Sequence, residues 1–130
     1  MKMDRPYIVP LATQVIDILQ QIRELNFSEQ YVFYNPYTRK PYSQNAFINA
    51  LYQMGYKYKM TGHGFRGLAS TTLHEQGYMH EAIDLQLAHE QENKVSKAYN
   101  GAQYLDYRRD MMNDWADYIT TIYASGFILN

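Results

Sequence analysis

His63-Gly64-Phe65-Arg66 sets an imidazole and a guanidinium three residues apart, at the mouth of an apolar-periodic segment. Residues at that spacing share one face of a helix. A helix N-terminus adds unpaired N–H groups and the positive end of the dipole. The chemistry this suits is the cradling of an anion, such as a phosphate. Gln86-Leu87-Ala88-His89 follows, and Tyr99 stands ten residues beyond His89. Lys2 lies eight residues before Pro10, beside a short strand-like run. Each of these has an ordinary reading when taken alone. His-x-x-Arg recurs by accident, His89 can merely end a helix, and Lys2 can be a solvated terminal lysine. With 14 tyrosines in 130 residues, a tyrosine at any single position signifies little.

Other chemistries are excluded by pattern. The four histidines, His63, His74, His80 and His89, form no i, i+4 pair and no His-Glu-x-x-His, so no metal site is expected. No glycine-rich loop ends in Gly-Lys-Ser/Thr, which removes a nucleotide-binding P-loop. The chain has no cysteine, so it can hold neither a disulfide framework, a thiolate zinc site nor a cysteine nucleophile. No cofactor is expected.

The elements that must position these residues are mostly helical. Tyr7-Ile8-Val9 reads as a strand stopped by Pro10, which cannot donate to a ladder. Val15, Ile16, Ile18, Leu19, Ile22 and Leu25 recur at helical spacing between Ala12 and Leu25. Tyr31 to Tyr34 reads as a second short strand and Asn35 to Pro41 as a loop. Ser43 is placed as the N-cap of a helix that presents Ala46, Phe47, Ala50, Leu51 and Met54 and ends near Gly55. Lys57 to Gly64 is read as a connection. Phe65, Leu68, Ala69, Thr72 and Leu73 define the next helix, closed by Gly77. Short helices follow at about His80–Leu87 and Asn93–Tyr99. The last helix is long, with Tyr104, Leu105, Arg108, Met111, Met112, Trp115, Tyr118, Ile119 and Ile122 on one stripe. The fold class expected is mainly α with a small β element near the N-terminus. No Gly/Pro/Ser linker divides the chain, so residues 1–130 are expected to form one domain.

Hydrophobic residues make up 46% of the chain and charged residues 19%, as in an ordinary soluble globular protein. No apolar run approaches the roughly 18 residues of a membrane span. Met1 to Arg5 leads into Pro6 and Pro10, not into an apolar stretch, so no signal peptide is expected. The formal net charge is −1, unusual for a nucleic-acid binder. Its distribution is uneven. Residues 1–66 hold 8 basic and 4 acidic side chains, whereas residues 67–130 hold 4 and 9.

Taken together and in order, His63-Gly64-Phe65-Arg66 with Ser70-Thr71, Gln86-Leu87-Ala88-His89, Lys97-Ala98-Tyr99-Asn100 and Met111-Met112-x-x-Trp115-Ala116-Asp117-Tyr118 resemble the C-terminal catalytic domain of the tyrosine recombinases. The likeness is greatest to phage and prophage integrases of the satellite-phage type. Val9-Pro10-Leu11 and Ala50-Leu51-x-x-Met54-Gly55-Tyr56 fit as well, so the resemblance covers nearly the whole chain. It implies that Tyr99 is the nucleophile that attacks a DNA phosphate and makes a 3′-phosphotyrosyl link. It implies that Arg66 holds the non-bridging oxygens, that His63 assists proton transfer and that His89 hydrogen-bonds the phosphate. Lys2 would be the general acid for the departing 5′-oxygen. The partners implied are double-stranded DNA at attachment sites and further copies of the full-length protein on that DNA, in the cytoplasm of a bacterial or phage-infected cell. The basic half supplies the expected DNA-binding residues, Arg39, Lys40, Lys57 and Lys59, with Arg66 at their centre.

Physical chemistry agrees with these roles. Phosphoryl transfer is catalysed mainly by positioning and by stabilising charge on equatorial oxygens. A phenol of pKa near 10 is a poor nucleophile until cations lower the cost of its phenolate. In one respect the sequence departs from the family. The family's first catalytic arginine precedes the hairpin lysine, and no position here matches it. The expectation is a partial catalytic domain, inactive alone. The alternative is a non-enzymatic remnant that kept the fold as a helical DNA-binding or protein-interaction domain.

Overall fold

A computed structural model describes residues 7–25, 27–88 and 102–126. The elements are α1 (Thr13–Glu24), β1 (Tyr34–Asn35), β2 (Lys40–Pro41), α2 (Gln44–Leu51), a π-helical turn (Tyr52–Tyr56), α3 (Gly62–Glu75), α4 (His80–Gln86) and α5 (Leu105–Ala124). The protein is mostly helical with one small antiparallel sheet, Tyr34 opposite Pro41 and Asn35 opposite Lys40. It divides into two units, residues 1–13 with 69–130 and residues 14–68. The helix expected over Asn93–Tyr99 lies outside the described residues. Among the described residues no helix is long and apolar enough to cross a membrane, and no metal-binding cluster is gathered.

The first unit holds the core. Leu73, Ile83 and Met111 are at most 1% exposed and pack together, with Tyr78, Leu87, Tyr107, Met112 and Trp115 around them. Removing such side chains from water is the main favourable term in folding. α3 reaches this core because it stops in a defined way. Gly77 has φ +85, the Gly77 N–H donates to the His74 carbonyl at 3.0 Å, and the Tyr78 N–H donates to the Leu73 carbonyl at 3.1 Å. This is a Schellman stop, and it swings Tyr78 back onto the core. His74 and His80 then tie α3 to α4. His74 Nδ1 lies 2.7 Å from the Ser70 carbonyl, so it carries the hydrogen, and Nε2 meets His80 Nδ1 at 2.9 Å. His80 Nε2 reaches Asp84 Oδ2 at 3.1 Å.

The Tyr78 hydroxyl donates to Asp114 Oδ2 across the α4–α5 side of the core. The carboxylate bond, partial burial and the nearby negative charge push the Tyr78 phenol up to about 12. A phenol with a raised folded pKa contributes stability that is present below its unfolded value near 10 and lost as pH rises through about 12. Tyr78→Phe should therefore flatten the fall in thermal stability over that alkaline window. Melting curves across it check the point, and an unchanged slope would contradict it.

Several boundaries differ from those read in the sequence, each for a local reason. Tyr7 makes only an isolated bridge, and no strand covers Tyr7-Ile8-Val9. The Ile8 carbonyl is taken instead by Arg108 Nη2 at 2.6 Å, and Pro10 has no N–H. The stretch from Asn35 to Pro41 is not all loop. Asn35 Oδ1 accepts the N–H groups of Tyr37 and Thr38 at 2.9 and 3.3 Å, which turns the chain so that Lys40-Pro41 pairs as β2. Ser43 is the N-cap of α2, through its extended backbone and without a side-chain bond. The helical path breaks where expected, at Gly55, whose φ of +91 glycine tolerates. α3 starts at Gly62, inside the expected connection, because Thr61 Oγ1 accepts the Gly64 N–H at 2.9 Å and caps it.

The stripe of α5 is buried only in part. Met111 is fully covered and Leu105, Met112 and Trp115 are half-buried, whereas Ile119 and Ile122 are exposed. Tyr104 and Tyr118, on the same stripe in sequence, are also exposed. The described core is only as wide as α3 and α4, so the last two turns of α5 run beyond it. In the second unit no described residue is fully buried. Its apolar side chains pack in pairs, Phe33 edge-on to Phe47 at 5.1 Å and Tyr31 stacked on Tyr34 at 6.4 Å.

Candidate functional site

The residues singled out by the sequence fall into three groups. His63 and Arg66 occupy the first two turns of α3, His63 exposed and Arg66 half-buried. Their i, i+3 spacing on a real helix puts them on one face. The Gly64 N–H, one of the groups a helix start would offer an anion, is already held by Thr61 Oγ1. An anion at this end would therefore be met more by the two side chains than by the helix backbone. Gly62 and Gly67, on either side of the pair, both lie in regular α3 backbone.

The second group is the set of cations on the same unit. Arg39 sits at φ +57 in the β1–β2 turn and Lys40 on β2, both exposed. Lys57 and Lys59 flank Tyr58 in the turn before α3, and Tyr58 has φ +65. The Lys57 ammonium lies over the Tyr58 and Tyr52 rings, 5.3 and 5.9 Å from their centroids, which holds it by cation–π attraction while Tyr58 itself stays in solvent. Residues 14–68 hold 6 basic and 3 acidic side chains, and the remainder hold 6 and 10. The charge asymmetry of the sequence thus coincides with a structural unit. A face with excess cations attracts a polyanion and weakens with salt.

The third group, Lys2, His89 and Tyr99, lies outside the described residues. The structure brings His63 and Arg66 together and places the four basic residues on their unit.

One important residue is missed by the sequence reading. The sequence puts Arg108 on the stripe of the last helix and gives it no role, and Arg109 beside it reads as a surface cation. Arg109 is indeed exposed and pairs with Asp106 at 2.6 Å. Arg108 is 0% exposed. Its Nε–H donates to Gln86 Oε1 at 3.0 Å, Nη2–H to the Ile8 carbonyl at 2.6 Å and Nη1–H to the Gln103 carbonyl at 3.4 Å. The Tyr7 ring lies 5.8 Å from Cζ. Burial lowers the Arg108 pKa and Tyr7 works against that shift. The signal is present in the sequence, since Arg108 stands on the apolar stripe at core spacing, and a charge there must be bonded if buried.

The chain is similar to known proteins. The model of the phage integrase family matches residues 1–105. The prophage integrase IntZ of Escherichia coli K12 is 42% identical over 125 residues, covering 95% of this chain and 31% of its own length. The integrase of Shigella phage Sf6 is 38% identical over 121 residues, covering 92% of this chain and 31% of its own. The integrase of Enterobacteria phage P4 is 39% identical over 124 residues, covering 92% and 28%. The chain therefore spans about a third of the length of the curated relatives it matches. No solved structure matches it at a significant level. Matched over most of its length by one family model and by integrases of several phages and prophages, the chain belongs to the phage integrase family.

Proposed function

We propose that residues 1–130 are part of the catalytic domain of a site-specific DNA recombinase that cuts and rejoins double-stranded attachment sites through a tyrosine. The observation that carries this is the family match over a segment that contains, in order, Lys2, His63, Arg66, His89 and Tyr99. In this reading the Tyr99 phenolate attacks a DNA phosphorus, a new tyrosyl ester forms on the 3′ side, and the 5′-oxygen leaves with a proton from Lys2. Arg66 holds the non-bridging oxygens, His89 hydrogen-bonds them, and His63 assists proton transfer from the phenol. The ester keeps the energy of the diester, so rejoining needs no external energy source. Arg39, Lys40, Lys57 and Lys59 bind flanking phosphates. The setting is the cytoplasm, and further copies of the whole protein assemble on the DNA.

The relatives are about three times longer than this chain, so the activity is tested in a chimera in which it replaces the matching third of IntZ. Incubated with a nicked attachment-site duplex, the chimera should yield a covalent protein–DNA complex on denaturing gels. Arg66→Ala should slow its formation by roughly 10³–10⁵, the worth of an arginine in phosphoryl transfer. The chain alone should form none, because no position in it matches the family's first arginine. A wild-type chimera that binds DNA but makes no adduct would favour the non-enzymatic remnant.

DNA affinity should follow the basic unit. Reversing Lys57 and Lys59 to Glu should weaken binding and lower the salt slope by about one for each phosphate no longer neutralised. Reversing Arg109, which is paired on the acidic unit, should change little. Filter binding across a salt series checks this, and the opposite ranking would refute the placement.

A further inference from the structure

Lys2, His89 and Tyr99 belong to three separate stretches of chain, and described residues near each of them meet at one buried side chain. Ile8 is six residues after Lys2, Gln86 three before His89, and Gln103 four after Tyr99. Arg108 donates to all three, to the Ile8 carbonyl, to Gln86 Oε1 and to the Gln103 carbonyl. Tyr7 closes the same knot from the N-terminal side, its hydroxyl lying 2.6 Å from the Leu85 carbonyl and 2.5 Å from that of Gln86. We propose that Arg108 is a positioning residue for strand transfer, a guanidinium clamp that fixes the chain from which Lys2, His89 and Tyr99 depart. This rests on the recombinase reading above.

The physical case is one of linked constraints. A guanidinium at 0% exposure has no bulk water to fall back on, so each donor it loses is costly. Its planar fork fixes directions as well as distances, which a flexible ammonium does not. The three segments therefore cannot drift independently without stranding a buried charge. Positioning matters in this reaction because displacement of about 1 Å at the reacting groups costs on the order of 100-fold in rate. Met111, three residues on in α5, provides the contrast. It is equally buried, yet it packs in the core with Leu73 and Ile83.

Arg108→Lys keeps the charge and loses the fork. Gln86→Leu leaves the guanidinium and removes the α4 acceptor, which keeps the test available if Arg108 variants fold poorly. Met111→Val is the stability control. In the 130-residue chain, hydrogen exchange should quicken around residues 8, 86 and 103 in the first two variants and not selectively in the third. In the IntZ chimera at saturating DNA, Arg108→Lys should slow adduct formation by on the order of 100-fold with DNA affinity unchanged, and Gln86→Leu by less. Met111→Val should react at close to the wild-type rate. If folded Arg108→Lys and Gln86→Leu chimeras react as Met111→Val does, or exchange stays level at the three segments, the clamp is overturned. If the unsubstituted chimera forms no adduct, the recombinase reading fails and the catalytic half of this inference with it, while exchange still decides whether Arg108 holds the segments.

Discussion

Tyr99→Phe in the IntZ chimera is expected to abolish the covalent protein–DNA complex and leave DNA affinity intact. The substitution deletes one oxygen and keeps the ring, so any packing role survives while the nucleophile does not. Three other tyrosines lie close in sequence, and Tyr99→Phe must be distinguishable from changes at each. Tyr107 is half-buried, and its hydroxyl accepts the Met79 N–H at 2.8 Å, a structural task that joins α5 to the start of α4. Tyr118 stacks on Trp115 at 5.9 Å on the outer face of α5. Tyr104 is the N-cap of α5, with φ +54, and its carbonyl accepts the Arg108 N–H at 2.8 Å. Lys94 and Lys97 precede Tyr99 in sequence, as they precede none of those three so closely. Tyr104→Phe should leave the adduct in place. An adduct that persists in Tyr99→Phe refutes the assignment.

The largest stability effect is expected at Met111. Its side chain is fully buried with Leu73 and Ile83, in a cluster that has three such residues among those described. Met→Ala at a site of this kind costs about 2–5 kcal/mol, from lost transfer free energy and from the cavity left behind. A small core collapses poorly around such a cavity because few neighbours can move into it. Urea denaturation of the chain with Met111→Ala should show a lower midpoint at an unchanged slope. Ile119→Ala, two turns on and 47% exposed, should stay within about 0.5 kcal/mol of wild type. Equal losses at the two positions would mean that the outer half of α5 is covered in solution.

Much of this is legible in the sequence, and the exceptions share a cause. Periodicity locates α1, α3, α4 and α5 to within a few residues, because a 3.6-residue repeat and glycine stops are local signals. Ser43 marks the start of α2, Gly55 the break in the turn that follows it, and Gly77 the end of α3. Periodicity does not say how far a core extends: the stripe of α5 continues through Ile122, whereas only its first half packs with Leu73 and Ile83. Side-chain-to-backbone bonds are also hidden from pattern reading. Thr61 moves the start of α3, Asn35 closes the β1–β2 turn, and Arg108 takes the Ile8 carbonyl in place of a strand partner. For the candidate site, spacing predicts that His63 and Arg66 share a helix, and charge counting finds the basic unit. Arg108 is placed on the stripe of the last helix, but periodicity cannot show that its guanidinium is bonded to Ile8, Gln86 and Gln103.

Mass spectrometry of the trapped adduct decides whether Tyr99 is the residue joined covalently to DNA. The chimera is reacted with a nicked duplex that prevents rejoining, digested with nuclease and protease, and the peptide that carries the nucleotide is sequenced. The expected product is a nucleotide 3′-phosphate esterified to Tyr99. A nucleotide on Tyr104, Tyr107, Tyr118 or any other residue would contradict it.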